Sequence, residues 1–310
     1  MSGFTVTHQQ IANYQGDGAV VLRGVFTDWV ETLARGVERN MAEPGPYGTE
    51  NVRPQDGGGS FFDDYCNWER IPEFTDFMKN SPAGAVAGAL MGAREVQIFH
   101  DHVLVREPGT PKATPWHQDM PYYCVDGMQT ASYWIPLDPV TKENTLRLVL
   151  GSHLWPKLLR PKKWAGGEDF YANDSEFMDL PEIENGSYAI LEEALEPGDA
   201  IVFNYRTVHG ARGNRGSRRR RAFSARFVGD DAHFIQRPGR TSPPYPGIGQ
   251  SSGERLREDW FPTVWRAGPL NYSTSCMLAV CPGNKTSGHP LSPMLRYRSL
   301  GMDWPRQLVL

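Results

Sequence analysis

Cysteine is scarce in this chain of 310 residues, and the four present form no recognisable site. Cys66 and Cys124 stand alone. Cys276 and Cys281 are near neighbours, but no second pair or histidine follows at zinc-finger spacing. The expectation is free thiols in a reducing, cytoplasmic setting. Long apolar runs are missing too: nothing approaches the roughly 18 consecutive apolar residues of a membrane helix. The opening MSGFTVTHQQ lacks the basic and apolar segments of a secretory signal. Nor is there an excess of positive charge. Against 36 acidic residues stand 32 Lys and Arg, a net charge of -4, so neither nucleic acid nor an anionic membrane is an expected partner. What is present, 39% hydrophobic and 11% aromatic residues, describes a globular protein with a sizeable core.

Thr7-x-x-Gln10 resembles a capping box opening a short helix. GAVVLRGV, Gly18 to Val25, reads as a strand, and FTDWVETLARGVERNMA has helical spacing with Trp29, Leu33 and Val37 on one stripe. Residues 44–60 are rich in Gly and Pro without periodicity, which predicts a loop. A helical patch spans about Ile71 to Leu90. From Val96 to Val228 come short β-rich runs separated by turns, with no helix alternating between them. That texture predicts a sandwich or barrel in one domain over residues 1–270. Residues 271–310 have weak periodicity and read as an extension.

The chemistry concentrates in histidines. His100 and His102 in IFHDHVLVREPG, with Glu107 behind them, resemble half of a cupin metal motif. In TPWHQDMPYY, His117 and Asp119 stand two apart, so in a strand both leave the same face. Either pair can be joined by His209, which ends the run PGDAIVFNYRTVH. The cupin pattern also requires Pro-x-Gly-x-x-His before its last histidine, and this sequence lacks it there, which favours the second pair. Eleven residues after His209 stands Arg220, within the run Arg218 to Arg221 that opens another strand. Strand alternation turns at least one of these arginines inward, where burial without an anion is costly. Two histidines, a carboxylate and an inward arginine suit a metal with open positions and a dicarboxylate beyond it.

In order along residues 7 to 265, QIANYQGDGAVVLRGVF, DHVLVREPGTPKATPWHQDMPYY, SYWIPLDPVTKEN, LGSH, PGDAIVFNYRTVHGARGN, RRAFSARFV and DWFPTVW resemble the phytanoyl-CoA dioxygenase family. The resemblance implies a mainly β, double-stranded β-helix (jelly-roll) core with flanking helices. It implies an Fe(II)- and 2-oxoglutarate-dependent dioxygenase that uses O2, hydroxylates a small molecule and releases succinate and CO2. It assigns His117, Asp119 and His209 as iron ligands and Arg220, or in a slipped register Arg221, as partner of the distal 2-oxoglutarate carboxylate. Gln118, Trp134 and Arg106 fall at positions that line the co-substrate pocket. A carboxylate at Asp119, where related halogenases have a small residue, implies oxygenation. Leu150 stands where the family has proline before Gly-Ser-His. Two other readings remain: a cupin-like metalloenzyme using His100, His102, Glu107 and His209 without 2-oxoglutarate, and a non-catalytic jelly-roll binding protein whose arginines meet a polyanion.

Overall fold

The structure is a computed structural model, and it describes residues 4–52, 59–162 and 174–268. The extension expected over 271–310 lies outside these residues. Four helices, α1 (His8–Asp17), α2 (Val30–Ala42), α3 (Pro72–Asn80) and α4 (Ala83–Met91), come early. The first strands are β1 (Ala19–Leu22), β2 (Thr49–Val52), β3 (Phe61–Tyr65), β4 (Glu95–Arg106), β5 (Thr114–His117), β6 (Val125–Asp126), β7 (Thr130–Pro136) and β8 (Leu146–Val149). Then follow β9 (Leu158–Leu159), β10 (Phe177–Met178), β11 (Ile190–Leu191), β12 (Ala200–Phe203), β13 (His209–Ala211), β14 (Arg220–Val228), β15 (His233–Phe234) and β16 (Thr263–Arg266). No helix among the described residues is long and apolar enough to cross a membrane.

The major sheet runs β1-β12-β7-β14-β4-β3-β2, with β16 also on β4; the minor sheet runs β11-β8-β13-β5. All these pairings are antiparallel, the sandwich expected from the run of short strands and the mainly β jelly-roll that the family resemblance implies. The capping box closes on both sides, Thr7 Oγ1 accepting from Gln10 N at 3.2 Å and Gln10 Oε1 from Thr7 N at 2.8 Å. Gly18 ends α1 at φ 75°, and a Cβ there would fall 2.4 Å from His153 Nδ1, so only glycine turns the chain into β1. Part of the segment expected as a loop, residues 44–60, is a strand: β2 pairs antiparallel with β3. Its alternating polar residues gave no apolar period to read, and residues 53–58 lie outside the described ones.

One face of the major sheet is covered by helices. Phe223, Ala225 and Phe227 of β14 and Val103 and Val105 of β4 share a buried cluster with Leu33 and Val37 of α2 and Phe74 and Phe77 of α3. The other face meets the minor sheet, where Leu146 and Leu148 pack with Trp134, Ile201, Phe203 and Ala222. β14 is therefore buried on both faces, and Arg220, Ser224 and Arg226 point at whatever lies between the sheets.

Candidate active site

Between the sheets is a cavity of about 550 Å³. The central pair of strands, β4 and β14, builds its floor in register. Arg106 lies opposite Arg220, Leu104 opposite Ala222, His102 opposite Ser224 and His100 opposite Arg226. All eight line the cavity, as strand alternation requires. The minor sheet supplies the opposite wall, where His117 and His209 are paired directly across β5 and β13.

His117, Asp119 and His209 bring one ligand atom each to within 4.8 Å of one another. Each imidazole Nδ1–H donates to a backbone carbonyl: His117 to Pro115 O at 2.9 Å and His209 to Thr207 O at 2.9 Å. A carbonyl only accepts, so the Nε2 lone pairs are left to face the centre. There Asp119 Oδ1 sits 3.6 Å from His117 Nε2 and 3.7 Å from His209 Nε2, too far for good hydrogen bonds and well placed to share a cation. Burial, then the neighbouring His117, pushes His209 down to about 3, which keeps it neutral. Burial opposes the charge of Asp119, but Arg226 and the two histidines outweigh it and hold this carboxyl well below the usual range. Two neutral nitrogens and a carboxylate oxygen are the donor set that suits a divalent iron with three positions left open. The residues present fit that ion.

One expectation about this group needs correcting. β5 stops at His117, and Asp119 has helical backbone, φ -73° and ψ -41°, so strand alternation does not place them together. The chain turns because the Asp119 and Met120 N–H groups both donate to Tyr205 O at 3.0 Å. The turn carries Gln118 away: its side chain donates to Arg206 O and accepts from Leu159 N at 2.7 Å, and it does not line the cavity. Gln118 joins the loops under the site.

Arg220 and Arg106 do line the cavity, 7% and 2% exposed. Arg106 donates to Arg212 O at 2.8 Å and Thr114 Oγ1 at 2.6 Å, with its guanidinium 4.2 Å from the Phe61 ring centre. Arg220 donates to Asn144 O. Among the described residues neither has a carboxylate at ion-pair distance, and Asp63 acts on Arg106 only through its charge. Burial lowers both, Arg220 to about 9 with Arg106 as a second cause and Arg106 to about 10. Such a pair calls for an anion, and it lines the same cavity as the metal triad. Trp134 also lines the cavity. Arg221 points the other way, to Asp138 at 2.7 Å and Glu38 at 3.1 Å, so the slipped register does not hold.

The cupin set is not assembled. Glu107 pairs with Arg219 at 2.6 Å, and His102 with Asp63 at 3.2 Å. His100 is buried and driven neutral, by burial first and Arg226 second. The residue that sequence reasoning missed is Arg226, whose Nε lies 3.3 Å from Asp119 Oδ2. The alternation that marked Arg220 as inward, carried three more steps of two residues, would have found it.

A family model described as phytanoyl-CoA dioxygenase (PhyH) matches residues 14–222. This chain belongs to the phytanoyl-CoA dioxygenase family. That family is Fe(II)- and 2-oxoglutarate-dependent and uses O2. The peroxisomal phytanoyl-CoA dioxygenase of Homo sapiens is 26% identical over 152 residues, 46% of this chain and 43% of the relative. A probable phytanoyl-CoA dioxygenase of Caenorhabditis elegans is 27% identical over 190 residues, 57% of this chain and 54% of the relative. The chain thus spans about half the length of the curated relatives it matches. Among solved structures, the epimerase SnoN in complex with Fe3+, alpha ketoglutarate (2-oxoglutarate) and nogalamycin RO aligns at TM-score 0.65 and 20% identity, over 83% of this chain and 98% of that one. EctD from S. alaskensis with 2-oxoglutarate and 5-hydroxyectoine aligns at TM-score 0.59 and 20% identity, over 78% and 82%. These likenesses bear on the fold, a 2-oxoglutarate oxygenase jelly-roll.

Proposed function

We propose that this chain is an Fe(II)- and 2-oxoglutarate-dependent dioxygenase that hydroxylates a small molecule, with residues 1–270 as its single catalytic domain. The observation that carries the reading is the company kept in one cavity: a His117–Asp119–His209 triad at one place and two buried arginines without counter-ions at another. A metal-binding module alone has no use for the arginines, and an anion-binding module has none for the triad.

Bound iron supplies oxygen activation coupled to the conversion of 2-oxoglutarate into succinate and CO2. The chain's part is placement. His117 Nε2, His209 Nε2 and Asp119 Oδ1 would hold the ion. Arg220 would donate a charge-assisted hydrogen bond to the distal carboxylate of 2-oxoglutarate, with Arg106 beside it as a second positive group. Trp134 and Leu146 add apolar wall to the cavity, and Phe203 packs with its ring centre 4.5 Å from that of His209. Tyr65, Tyr122 and His102 line the remaining wall and would face the substrate.

Anaerobic titration of the protein with Fe(II) and then 2-oxoglutarate tests this. The expected result is a weak visible charge-transfer band in the wild type that His209→Ala abolishes and His100→Ala leaves intact. A band lost with His100 and kept in His117→Ala would move the metal to the cupin set, which shares His209. Hydroxylation itself is read by mass, as a product one oxygen atom heavier than its substrate with one succinate formed per turnover.

A further inference from the structure

Arg226 is the only cation of the major sheet, among the described residues, that is ion-paired to a member of the triad. It sits on the inward face of β14 between β7 and β4, opposite Ser132 and His100. Its guanidinium crosses the gap between the sheets to Asp119, with Nε 3.3 Å from Oδ2, and both residues are 5% exposed. Tyr123 flanks the contact, its ring centre 5.8 Å from the guanidinium carbon. Nη1 is buried and has no hydrogen-bond partner, Nε donates to the carboxylate, and the Tyr123 hydroxyl is the other side-chain group that meets both residues.

Each member of the triad is fixed by one atom and presents another. The two histidines are fixed through Nδ1 and present Nε2. Asp119 is fixed through Oδ2, by Arg226, and presents Oδ1 to both imidazoles. We propose that Arg226 is a positioning residue that restricts Asp119 to one ligand oxygen, so that three adjacent metal positions stay free for 2-oxoglutarate and O2. The inference rests on the metal site proposed above. With Oδ2 released, the carboxylate can turn and offer both oxygens, taking a position that the co-substrate needs. The bond also keeps a buried carboxylate compensated before any metal arrives, so the site is assembled in advance.

The test is binding of Co(II), a spectroscopic stand-in for Fe(II), to the metal-free full-length protein, followed by 2-oxoglutarate. Wild type, Arg226→Met, Arg226→Lys and Arg220→Met are compared by visible absorption and calorimetry, with a thermal melt of each. In Arg226→Met the Co(II) absorption bands are expected to shift before any 2-oxoglutarate is added. Its 2-oxoglutarate dissociation constant should rise about tenfold or more, the usual size for loss of a ligand's supporting partner. Arg226→Lys keeps charge and most of the stem, and should recover part of both changes. Arg220→Met should weaken 2-oxoglutarate with the Co(II) bands unmoved, which separates the two arginines.

If Arg226→Met and Arg226→Lys only lower the melting temperature, with Co(II) bands and 2-oxoglutarate affinity as in the wild type, the proposal is overturned. Should Arg226→Met not fold, the lysine variant decides alone: wild-type bands and affinity overturn the idea, and shifted bands uphold it. Wild-type protein that takes up no Co(II) would overturn the metal site itself, a different failure.

Discussion

Arg220 and Arg226 lie six residues apart on one strand, on the same face and at similar burial, yet they are handled in opposite ways. Arg226 has its counter-ion built in, Asp119 at 3.3 Å. Arg220 has a backbone carbonyl, and beside it a second cation, Arg106. Burying a cation without an anion costs several kcal/mol, so a fold that keeps two such groups together is arranged for a partner that arrives from solution. The paired arginine organises the protein; the unpaired ones wait for a ligand.

Removing a ligand of the metal should break the comparison most completely. Asp119→Ala takes away both the metal's carboxylate and the counter-ion of Arg226. That leaves three unpaired arginines in one cavity, with metal binding falling below detection in calorimetry and the melting temperature falling as well. Next in size comes Arg220→Met, for which 2-oxoglutarate affinity should fall about a hundredfold, the range for truncating one partner of a buried charge pair. Arg106→Met should cost about tenfold, because its guanidinium already has Arg212 O and Thr114 Oγ1 as acceptors and stands second in line. Arg221→Met, on the outer face with Asp138 and Glu38, should change 2-oxoglutarate affinity by less than about twofold. Equal effects at all three positions would mean that the cavity reads total charge and not position.

The comparison also predicts a gain. Without ligand, Arg220 is a liability that methionine lacks, so Arg220→Met should raise the melting temperature of the ligand-free protein by about 1–2 °C, equivalent to about 1 kcal/mol at this size. Adding 2-oxoglutarate and metal should then stabilise the wild type more than the variant, closing or reversing the gap. A variant that melts lower than wild type in the absence of ligand would show that Arg220 is structurally anchored after all.

How far the sequence could be read follows the same division. Ala200–Phe203 announced itself because burial on both faces leaves a continuous apolar signal, and Arg220–Val228 did so through polar residues alternating with apolar ones. The polar hairpin of β2 and β3 carried no such signal. His117, Asp119 and His209 were legible as residue types at characteristic spacings, but the reason they meet was not. It depends on Tyr205 O capturing two consecutive N–H groups from a segment 86 and 85 residues away in sequence, a long-range contact that no local pattern records. Gln118 was misplaced for the same cause, since the turn that brings Asp119 inward rotates its neighbour out. Arg226 was within reach of strand alternation and was passed over because it stands outside the conspicuous arginine run.

The effect furthest from ligand binding lies on the back of β4, where a third solution to buried charge appears. Asp101 is 0% exposed, and its Oδ1 accepts from Asn67 N and Trp68 N at 2.8 Å, while Oδ2 has no partner. Burial pushes this carboxyl up to about 7, although the two N–H groups oppose the rise. In the unfolded chain it titrates near the ordinary value of about 4. Between these values the folded protein binds the extra proton, so stability should fall as pH rises from about 4 to about 7 and level off above. Stabilities from urea unfolding at pH 5 and pH 8 should differ by about 3 kcal/mol from this group, and Asp101→Asn, which cannot titrate, should flatten that slope while leaving Co(II) and 2-oxoglutarate binding as in the wild type. A slope that survives the substitution would assign the pH dependence to the cavity's own charges, and the two faces of β4 would no longer be separable.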